Sequence, residues 1–203
     1  MRPLSSVESP SAPLARSFYE RNTVLVAKEL LGKLLVRRFG SAVLEGIIVE
    51  TEAYGGKDDP ASHAYRGPTR RNRVMYGPPG HAYIYFIYGM HNCLNVKTKP
   101  TGQGGAVLIR AAQPITGIEK MKKERRTERI NDLANGPAKL TQAFAVTRAL
   151  NGHDLTLGRK LFIAANAKPE QLEIVSTRRI GISVGIEKPW RFFIGGNPFV
   201  SKQ

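Results

Sequence analysis

The sequence predicts a single α+β domain built on a mostly antiparallel sheet, and three observations carry that expectation. Its 203 residues fit one domain, given typical domain sizes of about 100 to 200 residues. Apolar runs of strand length follow one another across short turns, at 33–39 with 43–54 and at 82–90 with 92–98 and 105–111. Three other segments carry helix-start signals instead, at Asn22-Thr23, Thr116 and Pro137.

Residues 1–16 hold three prolines and four serines and no apolar run of signal-peptide length, so a loose tail is expected ahead of a domain spanning 17–203. From Thr23, VLVAKELL runs to Gly32 and predicts a short helix with Asn22 or Thr23 as N-cap and the glycine closing it. KLLVRRF (33–39), the Gly40-Ser41 turn and VLEGIIVETEAY (43–54) read as a hairpin. Strict alternation puts Glu50, Glu52 and Tyr54 on one face and Val49 and Thr51 on the other, an unusual end for a core strand. Residues 55–81 are rich in glycine and proline and show neither period; loops beyond about 12 to 15 residues in compact domains are usually functional or disordered.

AYIYFIYGM (82–90) and NCLNVKT (92–98) predict a second hairpin turning near Gly89, with GAVLIRA (105–111) as a further strand. Thr116-Gly117-Ile118-Glu119 has capping-box spacing and opens a basic, solvated helix. Pro137 suits the first position of another, whose buried stripe is Leu140 and Phe144. From about 154 onward short strands and loops are expected, notably RRIGISVGI and WRFFIGG.

The charge narrows the function classes. Lys and Arg number 31 against 16 Asp and Glu, a net charge of +15, which favours a polyanionic partner: nucleic acid first, an anionic membrane surface second. No stretch approaches the roughly 18 consecutive apolar residues of a membrane-spanning helix, so a soluble, cytoplasmic or DNA-associated monomer is expected rather than a secreted protein. Cys93 is the only cysteine, which excludes an internal disulfide and a zinc-thiolate or Fe–S site. CxxC, HExxH and GxxxxGK[ST] are all missing, so neither a metal nor a nucleotide cofactor is expected.

Six of the seven tyrosines (54, 65, 76, 83, 85 and 88) and three of the four histidines (63, 81 and 91) fall between residues 54 and 91, and no acid lies between Asp59 and Arg110. A half-buried sheet explains any one of these rings. Together, beside Arg66, Arg70, Arg71 and Arg73, they supply guanidiniums for phosphates and rings for bases. Glu52, at the end of its strand beside Tyr54, is either a general base for water or a member of a surface ion pair, with Glu50 the less favoured base. Gly136-Pro137-Ala138-Lys139 places free N–H groups and a lysine at a helix start, which suits a phosphate and equally a plain capped helix.

Several segments together resemble the alkyladenine (3-methyladenine) DNA glycosylase family: IVETEAYGG (48–56), His63, RNRVMYGPPGHAYIYFIYGM (71–90), NCLNV (92–96), VLIRAAQP (107–114) and NGPAKL (135–140). The likeness runs from about Ser17 to Ser201 and includes the late RIGI and PWRFFI segments. It implies a curved antiparallel sheet with flanking helices and a protruding hairpin, and an enzyme that flips a damaged purine from duplex DNA and hydrolyses its N-glycosidic bond without lyase activity, metal or cofactor. By motif, Glu52 is then the base that activates water and Arg110 helps position that water or nearby backbone. Tyr54, His63 and Tyr85 enclose the flipped base, and Asn95 crowds a guanine 2-amino group. Tyr88, with Met90 beside it, matches the wedge that fills the gap in the stack, and Arg71, Arg73 and Lys139 match phosphate contacts. His91 and the extra arginine of GPTRRNR depart from the family pattern near the wedge and the backbone contacts. Two other classes stay open: a catalytically silent relative that reads distorted DNA by shape, and, from charge alone, an RNA-binding domain.

Overall fold

The computed structural model describes residues 12–166 and 171–201. Eight strands form one sheet: β1 (Leu34–Phe39), β2 (Ala42–Tyr54), β3 (Ala82–Ile87), β4 (His91–Lys97), β5 (Ala106–Thr116), β6 (Leu161–Ala164), β7 (Ile174–Thr177) and β8 (Arg191–Ile194). Every pairing is antiparallel, in the order β3-β4-β5-β2-β1-β6. The long β2 changes partner on one edge: residues 42–47 pair with β1, whereas residues 50–52 pair with β8, which in turn carries β7. This exchange curls the sheet and gives the expected α+β architecture, flanked by α1 (Arg16–Tyr19), α2 (Thr23–Glu29), α3 (Ile118–Arg125) and α4 (Pro137–Ala143). None of these helices is long and apolar enough to cross a membrane.

The helices cover one face. There Val26 of α2, Met121 of α3 and Leu140 of α4 pack fully buried against Ile48, Leu94 and Ile109 of the sheet. Each fully buried aliphatic side chain of this kind contributes about 1.5–3 kcal/mol, so this layer is the main hydrophobic reservoir of the fold. The other face is covered by the 55–81 segment and residues 178–190, and it carries most of the polar chemistry.

One irregularity decides which side chains reach that second face. Leu44 and Ile48 of β2 point into the helix-covered core, while Val49 packs on the other side with Ala111, Phe193 and Val200. The register against β5 then shifts between Ile48 and Glu50 and again between Glu50 and Thr51. Glu50 therefore shares the face of Val49 instead of opposing it, which corrects strict alternation, and Thr51 returns to the core, where its hydroxyl donates to the Ala27 carbonyl at 2.8 Å. On β5, Arg110 and Ala111 both leave the core in the same way. A bulge re-aims side chains in this manner while leaving the ladder intact on either side.

Local signals are met unevenly. Asn22 caps α2 by accepting from Val24 N and Leu25 N at 2.9 and 3.3 Å, and Pro137 opens α4 with Leu140 buried. The capping box at Thr116 does not form. Gly117 takes the N-cap position at φ 76°, where a Cβ would stand 2.5 Å from a Leu44 methyl, and Thr116 Oγ1 donates instead to Glu45 at 2.7 Å. The helix is also less solvated than its charge implies, because Met121 is fully buried. RRIGISVGI makes turns and bends after β7 rather than a strand, and WRFFIGG supplies β8. Of the expected tail, residues 1–11 lie outside the described residues. Its last part is attached: Pro13 bridges Ala164, Leu14 N donates to Ile163 O at 2.8 Å, and Arg16 pairs with Asp154 at 2.5 Å.

Candidate active site

The end of β2 places two carboxylates on the polar face. Glu52 has no exposed surface. Its Oε2 accepts from the Tyr54 hydroxyl at 2.8 Å, its Oε1 from the Ile180 backbone N–H at 2.7 Å, and Arg110 Nη1 stands 3.4 Å from Oε1. Glu50 is equally buried and accepts from Arg110 Nε and Arg191 Nε at 2.9 and 2.7 Å, and from the N–H and hydroxyl of Ser201. Burial alone would raise the Glu50 carboxyl, but Arg110, the Ser201 N–H and Arg191 together hold it below the usual range. Arg110 thus bridges the two acids from a neighbouring strand.

Beside Glu52 lies a cavity of about 160 Å³ walled by Tyr54, His63, Met75, Tyr83, Tyr85 and Asn95, with Gly181 and Ile182 closing one side. An apolar void of about 150 Å³ holds one benzene ring, so this space is on the scale of a single aromatic base. Tyr83 and Tyr85 reach it because they alternate on β3 with core-facing Ala82 and Ile84. The His63 ring stands edge-on to Tyr85 at 4.6 Å, and its Nδ1 lies 2.9 Å from the Tyr83 hydroxyl. Burial, then Arg71, lowers the His63 pKa below its ordinary value, which leaves the ring neutral at pH 7. Burial also raises the phenols: Tyr83 is pushed up to about 12, and Tyr54 and Tyr85 are shifted further in the same direction. The walls therefore present uncharged rings. Asn95 faces in from β4, its amide fixed by a 3.1 Å bond to the Tyr83 carbonyl.

A second cavity of about 200 Å³ adjoins the first across Tyr54 and Tyr85 and is lined by Arg110, Cys93, Ile180 and the start of α4. Glu52 lines neither cavity, but its partners Tyr54, Arg110 and Ile180 line this one. Cys93 is buried, and burial raises its thiol pKa.

The β3–β4 hairpin projects beside these cavities. Its turn carries two successive residues of positive φ, Tyr88 at 52° and Gly89 at 67°, and closes with Met90 N donating to Ile87 O at 3.2 Å. Glycine adopts that region freely, whereas tyrosine does so at a cost. Tyr88 is 81% exposed and Met90 68%, so the hairpin tip presents two large apolar side chains to solvent. Around the corner, Arg71 lies 5.7 Å over the Tyr85 ring, and Arg70, Arg71, Arg73 and Arg148 line one groove with Phe86 and Asn151. Lys139 is engaged within the protein, donating to Asn135 at 2.8 Å and standing 3.5 Å from Asp132.

The profile of the methylpurine-DNA glycosylase family matches residues 17–198. The chain belongs to that family. A relative from Carboxydothermus hydrogenoformans is 52% identical over 94% of this chain and 99% of its own length. Others from Methanoculleus marisnigri and Koribacter versatilis are 49% and 47% identical over 94% of this chain, covering 99% and 93% of their own lengths. All three carry the provisional name 3-methyladenine DNA glycosylase.

For this methylpurine-DNA glycosylase family member, the structure brings Glu52, Arg110, Tyr54, His63, Tyr85 and Asn95 around the two cavities, with Tyr88 lining the second, whereas Met90 borders a separate groove with His91 and Thr141. Arg71 and Arg73 sit in the arginine groove, and Lys139 lies at the base of α4. Sequence reasoning passed over Arg148, Asp59, Arg179 and the 180–182 segment, because their places depend on contacts far along the chain. The likeness at RIGI (179–182) marked that stretch without giving it a role in the site. Among the described residues, no group of three or more His, Cys, Asp or Glu is placed to hold a metal.

Proposed function

We propose that the chain is a monofunctional alkylpurine DNA glycosylase, which extrudes a damaged purine from duplex DNA and hydrolyses its N-glycosidic bond. The observation that supports this best is a fully buried carboxylate, Glu52, held by Tyr54, Ile180 and Arg110 at the edge of an aromatic-walled cavity the size of one base. A carboxylate oxygen has two lone pairs, so Glu52, with one hydrogen-bond donor on each oxygen, keeps acceptor capacity for a water. In this reading that water occupies the second cavity, oriented by Arg110. It gives a proton to Glu52 as its oxygen attacks C1′ of the sugar, and the bonding electrons leave with the base.

The walls fit the substrate class of 3-methyladenine, 7-methylguanine, hypoxanthine and 1,N6-ethenoadenine. Neutral rings of Tyr54, His63 and Tyr85 stack on a purine, and a cationic alkylated base gains most from their electron-rich faces. Asn95, locked to the Tyr83 carbonyl, crowds a 2-amino group and so disfavours normal guanine. Tyr88, with Met90, fills the gap left in the duplex and offsets part of the few kcal/mol that unstacking costs. Arg71 and Arg73, joined by Arg70 and Arg148, take phosphates, with Lys139 contributing after release from Asp132. Among the described residues no lysine lines either cavity, in keeping with hydrolysis without a lyase step, and the chain acts as a monomer on DNA.

The test is single-turnover release of base from end-labelled duplexes carrying hypoxanthine, 1,N6-ethenoadenine or 3-methyladenine, with alkali developing the abasic sites. Release by the wild type and not by Glu52→Gln, with lesion binding retained in both, is the expected result. Full activity in Glu52→Gln overturns the mechanism, and tight lesion binding without release by the wild type favours the silent-binder class.

A further inference from the structure

We infer that Arg179, clasped by Asp59, is the positioning residue that sets the geometry of Glu52, an inference that rests on the glycosylase reading above. Arg179 follows β7 and Asp59 follows β2, 120 residues apart in sequence, and both side chains are wholly buried. The guanidinium meets the carboxylate through two parallel bonds, Nη1 to Oδ2 at 2.6 Å and Nη2 to Oδ1 at 2.7 Å. Neither residue lines either cavity, and neither bonds to Glu52.

The two groups that hydrogen-bond Glu52, Tyr54 and Ile180, are nevertheless each one step from this clasp. Ile180, whose N–H binds Glu52 Oε1, is the residue after Arg179. Tyr54, whose hydroxyl binds Oε2, lies with its ring 4.8 Å beneath the Arg179 guanidinium, and Nη1 also donates to the carbonyl of Ala53, the residue before it, at 3.0 Å. Asp59 accepts from Gly55 N, just after Tyr54, at 2.8 Å, and from Ala61 N at 3.3 Å, where the base cavity begins. On the outer side Trp190 stacks at 5.4 Å and the Gly185 carbonyl accepts from Nη2 at 3.2 Å. One planar cation thus fixes the end of β2, the start of the 55–62 segment and the 178–185 segment relative to one another.

Stability alone does not account for the arrangement. A buried ion pair is often matched by apolar residues of equal volume, and the Arg179 Nε is buried without a hydrogen-bond partner, a further cost. What the pair provides that apolar packing cannot is direction: a rigid fork that sets two donors on one carboxylate. Lysine keeps the charge but has neither fork nor stacking plane.

The experiment compares Arg179→Lys and the isosteric Asp59→Asn with the wild type on a 1,N6-ethenoadenine duplex. The single-turnover rate is measured in each protein, and the affinity for the same duplex in a Glu52→Gln background. The expected result is a rate loss of about 10- to 100-fold, the scale of an ångström-level misplacement, without a matching loss of affinity. Combined with Tyr54→Phe, the loss should be smaller than the product of the two single effects, because both act on the same carboxylate. Rate and affinity falling together, a rate equal to wild type in both variants, or fully multiplicative losses would each overturn the inference while leaving the glycosylase reading intact. A wild type that releases no base would overturn the glycosylase reading and this inference with it.

Discussion

Glu50 and Glu52 stand two residues apart on β2, share one face and expose no surface, yet their surroundings differ in kind. Glu50 receives two guanidiniums and both donors of Ser201, three of the four converging on Oε1 and the Ser201 N–H reaching Oε2. Glu52 receives two neutral donors and shares Arg110 at a longer 3.4 Å. The first is tied to two cations and joins three parts of the chain, β5, β8 and the segment around Ser201, to the central strand. The second is held in direction but left with capacity, beside cavities. Burial does not separate a structural acid from a reactive one; the count and charge of its donors, and what lies within a water's reach, do.

Exchanging each acid for its amide is the sharpest way to break this comparison. Glu52→Gln should lower the excision rate by about 10²- to 10⁴-fold, the usual contribution of a general base, with a melting temperature close to wild type. Glu50→Gln should do the reverse, destabilising the fold by about 3–5 kcal/mol as two buried guanidiniums lose their partner, while the folded fraction still releases base. Denaturant unfolding and single-turnover assays on both proteins check the crossover; equal losses on both axes would erase the distinction.

Arg110→Lys acts on both acids at once. Losing the bond to Glu50 and the approach to Glu52 should cost about 2 kcal/mol of stability and a measurable part of the rate in the same protein, read by the same pair of assays. Acid titration then isolates the structural acid. The Glu50 carboxyl is held below its ordinary value of 4.5 in the fold, so its stabilisation is fully present above that pH and is lost as pH falls through the folded value. Melting temperature below pH 4.5 should fall more steeply in the wild type than in Glu50→Gln. The smallest effect is expected from Ser201→Ala, which removes one neutral donor from Glu50 and should cost about 1 kcal/mol with no change in excision rate.

Much of the fold was legible because its signals are local. Asn22 before an apolar run, Pro137 before another, and Val- and Ile-rich runs on either side of Gly40 each name their element without reference to the rest of the chain. The candidate site was legible where a strand's alternation delivered it, as with Tyr83 and Tyr85 on β3, or where a long motif carried it, as with Glu52. Thr116 misled because capping-box spacing says nothing of Leu44, whose methyl leaves room for only a glycine at the cap. The bulge at Glu50 and the clasp of Arg179 on Asp59 were invisible for the same reason: each is set by a partner far away in sequence, and no periodicity records it.

The lone thiol has a consequence for chemical self-protection. Purines become methylated where electrophiles are present, and a thiolate is a far better nucleophile than a purine nitrogen or a thiol. Cys93 lines the cavity beside Arg110, within the site on which repair would depend, but burial closes it off and holds it protonated. In the proposed role, an enzyme at work amid alkylating agents carries its one thiol buried and in the form less able to react with them.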